Sequence, residues 1–180
     1  IRAWYQVVDG GPGFTSEAFQ AISLRTANSK NIICNLVVDE MAIREQIIFD
    51  KKQLHGGIHF GIIRESQDND NLTTAKNALG VIVVALNESW KVPIGYFLIR
   101  GLNGTERANL LIQALQLLHD VGAKVFSLTF DGAPSNINMC THLGAEFTYG
   151  PSFKPWFKNP VTDDNVYVFF DLSHMIKPVR

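Results

Sequence analysis

Cysteine is scarce in this 180-residue chain, which contains only Cys34 and Cys140. The chain has no Cys-x-x-Cys pair, which excludes the zinc-binding and redox motifs that are built on that pair. Cys34 lies in an apolar run, and Cys140 lies in a segment that we predict to be helical. We therefore expect two buried, unpaired thiols in a reducing compartment.

Long apolar runs and clusters of basic residues are also missing. The longest uncharged apolar run near the middle, 79–86, is much shorter than the roughly 20 residues that cross a bilayer, and no secretory signal pattern precedes it. The chain has 16 Lys and Arg against 17 Asp and Glu, a formal net charge of −1. The lack of a bilayer span leads us to expect a soluble protein. The charge count does not indicate a nucleic-acid surface, so if the chain contacts DNA, another part of the protein such as a neighbouring domain would supply most of the binding.

Apolar residues are nevertheless abundant, at 46% of the sequence against 18% charged residues. This is enough for one domain with a hydrophobic core, and the length is too short for two. Because the chain starts at Ile1 instead of a methionine, we expect a piece of a longer protein. We expect residues 1–30 to form a helical lead-in packed on the core and residues 31–180 to form the main domain.

Two short apolar runs are each followed by a carboxylate, 36–38 by Asp39 and 126–130 by Asp131. Runs of this length between turn residues predict buried strands, so each aspartate would lie at an edge of a sheet. Two neighbouring carboxylates repel each other unless they share a proton or a cation, and hard divalent cations prefer oxygen ligands. We therefore predict a Mg²⁺ or Mn²⁺ site at Asp39 and Asp131.

The order of the predicted elements is strand, small hairpin, antiparallel strand pair, helix, strand, helix and strand. The helix that follows the antiparallel strand pair should begin at an Asn103 cap with Glu106 three residues later, and it should end at Gly122. A helical crossover allows the strand before Asp131 to run parallel to the strand before Asp39. This predicts an α/β fold with a ribonuclease H-like mixed sheet, in which the first strand is central, and which lacks the final helix of that fold. A long loop is predicted over 149–164.

Four short sequence segments resemble a known protein family, and this resemblance extends over nearly the whole chain. They are VVDEMAI at 37–43, WKVPIGYF at 90–97, LTFDGAPSN at 128–136 and FDLSHMIK at 170–177. In this order they resemble the P-element transposases and their domesticated THAP-domain relatives. The resemblance implies a nuclear enzyme that cuts and pastes DNA with three acidic residues and a divalent metal, and Asp39 and Asp131 match the first two acids.

The family's mechanism implies two metal ions about 3.5–4 Å apart, with Asp39 bridging both and Asp131 holding one of them. Transposon ends and target DNA would be the substrates, and the full-length protein would act as a homo-oligomer. The third acid and a GTP-binding domain would lie beyond this chain, so GTP is implied but no residue here is assigned to it. We therefore expect weak metal binding and no activity from this segment alone.

Alternatives remain open for the function and for several residues. The chain could be a domesticated, non-catalytic scaffold that binds DNA complexes or proteins, although its two aspartates favour the enzyme; an unrelated phosphohydrolase is disfavoured. Glu40 is expected to be a surface group on the face opposite Asp39, and Glu146 is not expected to be the third acid. Asp171 and His174 could be metal ligands or ordinary caps. The aromatic and lysine residues of 153–158 could stack on bases, but a loop pinned to the core is favoured.

Overall fold

The computed structural model describes residues 10–29, 31–49, 54–61 and 73–172. Nine strands and three helices occur in these ranges: β1 Gly13–Phe14, α1 Ser16–Asn28, β2 Ile33–Ala42, β3 Ile48–Phe49, β4 Leu54–His55, β5 Asn77–Ala85, β6 Lys91–Ile99, α2 Gly104–Asp120, β7 Lys124–Phe130, α3 Pro134–His142, β8 Trp156–Lys158 and β9 Asn165–Phe170. His174 and the question of a final helix after β9 lie outside the described residues. No helix in the described ranges has the length and apolar character needed to span a membrane.

Seven of the strands form one mixed sheet in the order β1-β6-β5-β2-β7-β9-β8. Strand β2 is central, because it pairs antiparallel with β5 on one side and parallel with β7 on the other. Strands β7 and β9 are also parallel. The predicted sheet is therefore confirmed. The predicted small hairpin is present as β3 and β4, which form a separate two-stranded sheet.

The hydrophobic core lies on one face of this sheet. Side chains alternate between the two faces of a strand, and Cys34, Leu36 and Val38 of β2 are all buried. Val38 lines a small internal cavity together with α2 residues such as Leu111 and Ala114, so this face is covered by α2. It follows that Glu40, the next residue of the same parity, is directed towards the helices and Asp39 towards the opposite face.

The predicted ends of the helices are confirmed. The Asn103 side chain accepts a hydrogen bond from the Glu106 backbone N–H at 2.9 Å, and the Glu106 carboxylate accepts one from the Asn103 N–H at 2.9 Å. This reciprocal pair satisfies two backbone donors that the helix itself leaves without partners. Gly122 follows α2 with a φ of 78°, and Pro134 lies in the first turn of α3.

Strand β2 continues beyond the predicted end at Asp39 as far as Ala42. The ladder with β7 stops at Val38, whereas the ladder with β5 continues through Asp39, opposite Gly80, and on to Ala42. The backbone hydrogen bonds of β5 therefore keep this segment extended where β7 no longer supports it. Asp39 lies within a strand and not at its end.

One further expectation was wrong. The segment 149–164 is not one continuous loop, because β8 pairs antiparallel with β9, with Phe157 opposite Val166. Helix α1 packs on the core, where its residues Phe19 and Ile22 are buried. The Phe14 ring packs edge-on against Phe19, with ring centroids 6.1 Å apart.

Candidate metal site at the ends of the parallel strands

Asp39 and Asp131 occupy equivalent positions on two neighbouring parallel strands. Val38 pairs with Phe130 in the ladder of β2 and β7, and each aspartate is the next residue of its chain segment. Neighbouring strands are about 4.8 Å apart, so the two backbones are adjacent at this point. Asp171 lies at the same edge of the sheet, because its N–H donates a hydrogen bond to the Phe130 carbonyl at 2.9 Å. Three consecutive strands therefore place an aspartate at one edge of the sheet.

The Asp39 carboxylate is exposed and only partly engaged. Its Oδ1 accepts a hydrogen bond from the Glu40 backbone N–H at 2.9 Å, and its Oδ2 accepts none from the described residues. The cross-strand neighbour is Gly80, where a Cβ would meet nothing nearer than the Asp39 carbonyl oxygen at 3.8 Å. A glycine opposite Asp39 therefore leaves the space beside this side chain uncovered.

The Asp131 carboxylate is half-buried and held by the first turn of α3. Its Oδ1 accepts hydrogen bonds from the Ala133 N–H at 3.3 Å and from the Asn136 side-chain amide at 2.7 Å. Within the described ranges, Oδ2 has no hydrogen-bond donor. Asn136 is buried, so the orientation of Asp131 depends on an interior side chain.

A buried arginine that the sequence analysis missed connects the two strand ends. Arg107 of α2 is only 4% exposed, forms an ion pair with Glu40, and donates a hydrogen bond to Asn136 Oδ1 at 3.1 Å. Glu40 also accepts a hydrogen bond from the Asn77 side chain. Glu40 thus lies on the predicted face of β2. The expectation that it is a surface group was wrong. Its carboxylate pairs with Arg107 because a buried guanidinium requires a counter-charge.

The sequence did contain a signal for Arg107. It lies four residues before Leu111 in α2, and therefore on the apolar stripe that Leu111, Ala114 and Leu118 continue at helical spacing. A charged residue on a buried stripe predicts a buried partner of opposite charge. The position of Glu40, next to Asp39 on the helix-facing side of β2, makes it that partner.

The remaining acidic candidate with a defined environment is Glu146. It accepts a hydrogen bond from the Thr148 N–H at 2.8 Å, and its hydrogen bonds with Thr148 hold the pKa of this carboxyl below its usual value. Glu146 is thus engaged in a local turn. In the part of the chain that the structure describes, no three His, Cys, Asp or Glu side chains form a group that could hold a metal ion.

Both cysteines are buried, as predicted, and neither forms a disulfide. Burial, with a further contribution from the nearby Glu88 charge, raises the pKa of the Cys34 thiol to about 11. Burial raises the pKa of the Cys140 thiol to about 12. Both thiols are therefore protonated at neutral pH and behave as small apolar side chains.

The aromatic residues near β8 are only partly pinned to the core. Phe157 is fully buried, whereas Phe153 is 54% exposed. Lys154 Nζ lies 4.3 Å from the centroid of the Trp156 ring, which is a cation–π contact. The preferred expectation of a loop packed on the core therefore holds for Phe157 and fails for Phe153.

The central strand order, the helical crossover and the acidic residues after parallel strands are those of a ribonuclease H-like domain. A model of the TNP-like, RNase H N-terminal domain matches residues 10–144. The chain therefore belongs to this family, and the resemblance to P-element transposases is confirmed.

Two similar proteins carry transposase names. Human DNA transposase THAP9 is 26% identical over 185 residues, which cover 100% of this chain and 20% of the human protein. The Drosophila P element transposase strand transfer complex contains a chain that aligns with a TM-score of 0.69 and 23% identity, over 99% of this chain and 35% of the other. This chain therefore spans about a fifth and about a third of the two relatives.

Proposed function

We propose that this chain forms part of the catalytic core of a cut-and-paste DNA transposase, in which Asp39 and Asp131 bind Mg²⁺ or Mn²⁺. One observation carries the proposal. The pairing of Val38 with Phe130 in a parallel ladder makes the two aspartates neighbours at the same edge of the sheet. The transposase names of the two relatives support the reaction class.

The residues fit a hard divalent cation. Each aspartate keeps one carboxylate oxygen, Oδ2, without a hydrogen bond from the described residues, and carboxylate oxygens are the preferred ligands of Mg²⁺. Gly80 leaves room beside Asp39, since no side chain occupies that position. Two carboxylates cannot fill an octahedral shell, so water and the substrate phosphate would supply further ligands, together with the third acid that the family resemblance implies outside this chain.

The protein's own contribution is to hold these oxygens in place. The backbone of Asp39 is held by the strand pairing of β2 with β5, and its Oδ1 accepts a hydrogen bond from the Glu40 N–H. The carboxylate of Asp131 is held by the first turn of α3 through Ala133 and Asn136. When bound, the metal would lower the pKa of an attacking water or DNA hydroxyl and stabilise the leaving oxygen. Preorganised carboxylates reduce the reorganisation needed in the transition state.

The proposal extends to the longer protein. Its substrates would be the transposon ends and the target DNA, it would act as a homo-oligomer, and it would work in the nucleus. GTP, if bound, would bind outside this chain. A domesticated scaffold without catalytic activity, which would bind DNA complexes or proteins, is the second candidate.

The test is a titration of the ¹⁵N-labelled chain with Mn²⁺, followed by NMR line broadening of the backbone amides. We expect selective broadening at residues next to Asp39 and Asp131, and its loss in Asp131→Asn, which replaces the free Oδ2 by an amide. The matched control is Asp120→Asn, an exposed carboxylate at the far end of α2 that accepts a hydrogen bond from Gln116 at 2.8 Å. Broadening that is equal in both variants would refute the metal site and favour the scaffold.

A further inference from the structure

A continuous chain of polar contacts runs from the segment that carries Asp39 to the carboxylate of Asp131. It begins at Glu40, passes through the Arg107 guanidinium to the Asn136 amide, and ends at Asp131 Oδ1. Three different elements, β2, α2 and α3, contribute to it. Arg107 is the member that bridges the two strand ends.

The geometry of the guanidinium explains why an arginine occupies this position. Nη2 is directed to Glu40, Nη1 donates to Asn136 at 3.1 Å, and Nε donates to the Leu102 carbonyl at 3.2 Å. The guanidinium spreads its donors over three nitrogens of a rigid plane and so reaches three separated acceptors at once, whereas the three N–H donors of a lysine all come from one nitrogen. A buried ion pair alone often adds little net stability compared with apolar packing. The position of Arg107 is thus better explained by orientation than by stability.

The contact of Arg107 with Asn136 also determines which way the Asn136 amide faces. Arg107 has only donors, so the Asn136 oxygen must be turned towards it and the Asn136 NH₂ towards Asp131. The NH₂ group then donates a hydrogen bond to Asp131 Oδ1 at 2.7 Å. This leaves Oδ2 as the oxygen that is available to a cation.

We propose that Arg107 is a positioning residue that orients the Asp131 carboxylate through Asn136 and anchors the Asp39 segment of β2 through Glu40. The proposal rests on the proposed function, because it concerns the geometry of the same metal site. Arg107 itself would touch neither the metal nor DNA. It would set the separation and orientation of the two carboxylates that do.

The experiment compares the chain with its Arg107→Lys variant by NMR, using Mn²⁺ as the probe and the Asn136 side-chain NH₂ signals as a metal-independent readout. We expect the NH₂ signals to shift and the Mn²⁺ affinity at Asp131 to fall about tenfold or more, since loss of residues that orient metal ligands typically has this effect. The matched control is Arg100→Lys. Arg100 also pairs with a carboxylate, that of Glu45 at 2.9 Å, but at the surface.

A second variant keeps the test decisive if Arg107→Lys fails to fold. Asn136→Ala cuts the chain of contacts next to Asp131 and leaves the Arg107–Glu40 ion pair in place, and Asn138→Ala, an exposed position on the same helix, is its control. We expect only Asn136→Ala to lose Mn²⁺ affinity at Asp131. A folded variant with unaltered affinity would overturn the inference.

Failure of the proposed function gives a different result. If the unaltered chain shows no Mn²⁺ broadening at Asp39 and Asp131, the metal site is refuted, and the inference is judged by the Asn136 NH₂ signals alone. Signals that shift in Arg107→Lys but not in Arg100→Lys would then support the positioning role. Unchanged signals in a folded Arg107→Lys protein would overturn it.

Discussion

Replacement of Arg107 by methionine should destabilise the fold strongly. The arginine is 4% exposed and the Glu40 side chain 19% exposed, so the variant leaves a largely buried carboxylate without its counter-charge. Removal of one partner of a buried ion pair costs about 3–5 kcal/mol. The value here should be at the lower end, about 3 kcal/mol, because Glu40 retains some solvent contact and the hydrogen bond from Asn77.

The assay is urea unfolding followed by circular dichroism, with thermal unfolding in parallel. A loss of about 3 kcal/mol corresponds to a decrease in Tm of roughly 6–12 °C for a domain of this size. The double variant Glu40→Leu with Arg107→Met should recover most of the loss, because no charge is then left buried without a partner. Arg100→Met, which breaks an exposed ion pair, should cost no more than about 1 kcal/mol.

The reasoning would be refuted if Arg107→Met cost less than about 1 kcal/mol, the cost expected of a surface pair. It would also fail if the cost of the double variant equalled the sum of the two single costs, since a thermodynamic cycle would then detect no coupling between the two side chains. Equal m-values across the variants are required for the comparison, because a change in m indicates a change in the denatured or native state.

Three further predictions concern the frame around the site. Asn103→Ala removes the side-chain acceptor at the start of α2 and should lower the free energy of unfolding in urea by about 1 kcal/mol. The pKa values of Cys34 and Cys140 are raised to about 11 and 12 in the folded chain. The contribution of the two thiols to the free energy of unfolding is therefore complete below the pKa of the unfolded chain, near 9, and it is lost as the pH rises towards the pKa values of the folded chain. The urea concentration at the midpoint of unfolding should therefore decrease as the pH is raised from 8 to 11. It should decrease less in a variant with both cysteines replaced by alanine. Gly95→Ala should lower the Tm, because its Cβ would lie 2.6 Å from the Gly13 carbonyl oxygen; an unchanged Tm would contradict that close approach.

The sequence predicted the frame of the sheet because the relevant signals are local. Apolar runs between turn residues indicated the strands, and the Asn103–Glu106 pair fixed the start of α2. The crossover rule then set β2 and β7 parallel. These three local signals are enough to predict that Asp39 and Asp131 lie at one edge of the sheet.

The parts that could not be predicted depend on partners distant in sequence. Strand β2 extends past Asp39 because β5 continues to pair with it, and no residue near Asp39 signals this. The burial of Glu40 depends on Arg107, which approaches only after α2 has packed on the sheet. Strand β8 has three residues, too few to give a clear alternating pattern within a proline-containing segment.

The parallel pairing of β2 with β7 has a consequence for the order of assembly. The two aspartates are separated along the chain by the strands β3 to β6 and by α2, so they become neighbours only after the crossover has formed and packed. Non-local parallel pairing of this kind is slow, because the entropy of loop closure is lost before the contacts that compensate for it are made. A chain that is still folding would therefore have no paired carboxylates, and the proposed metal site would form only with the completed sheet.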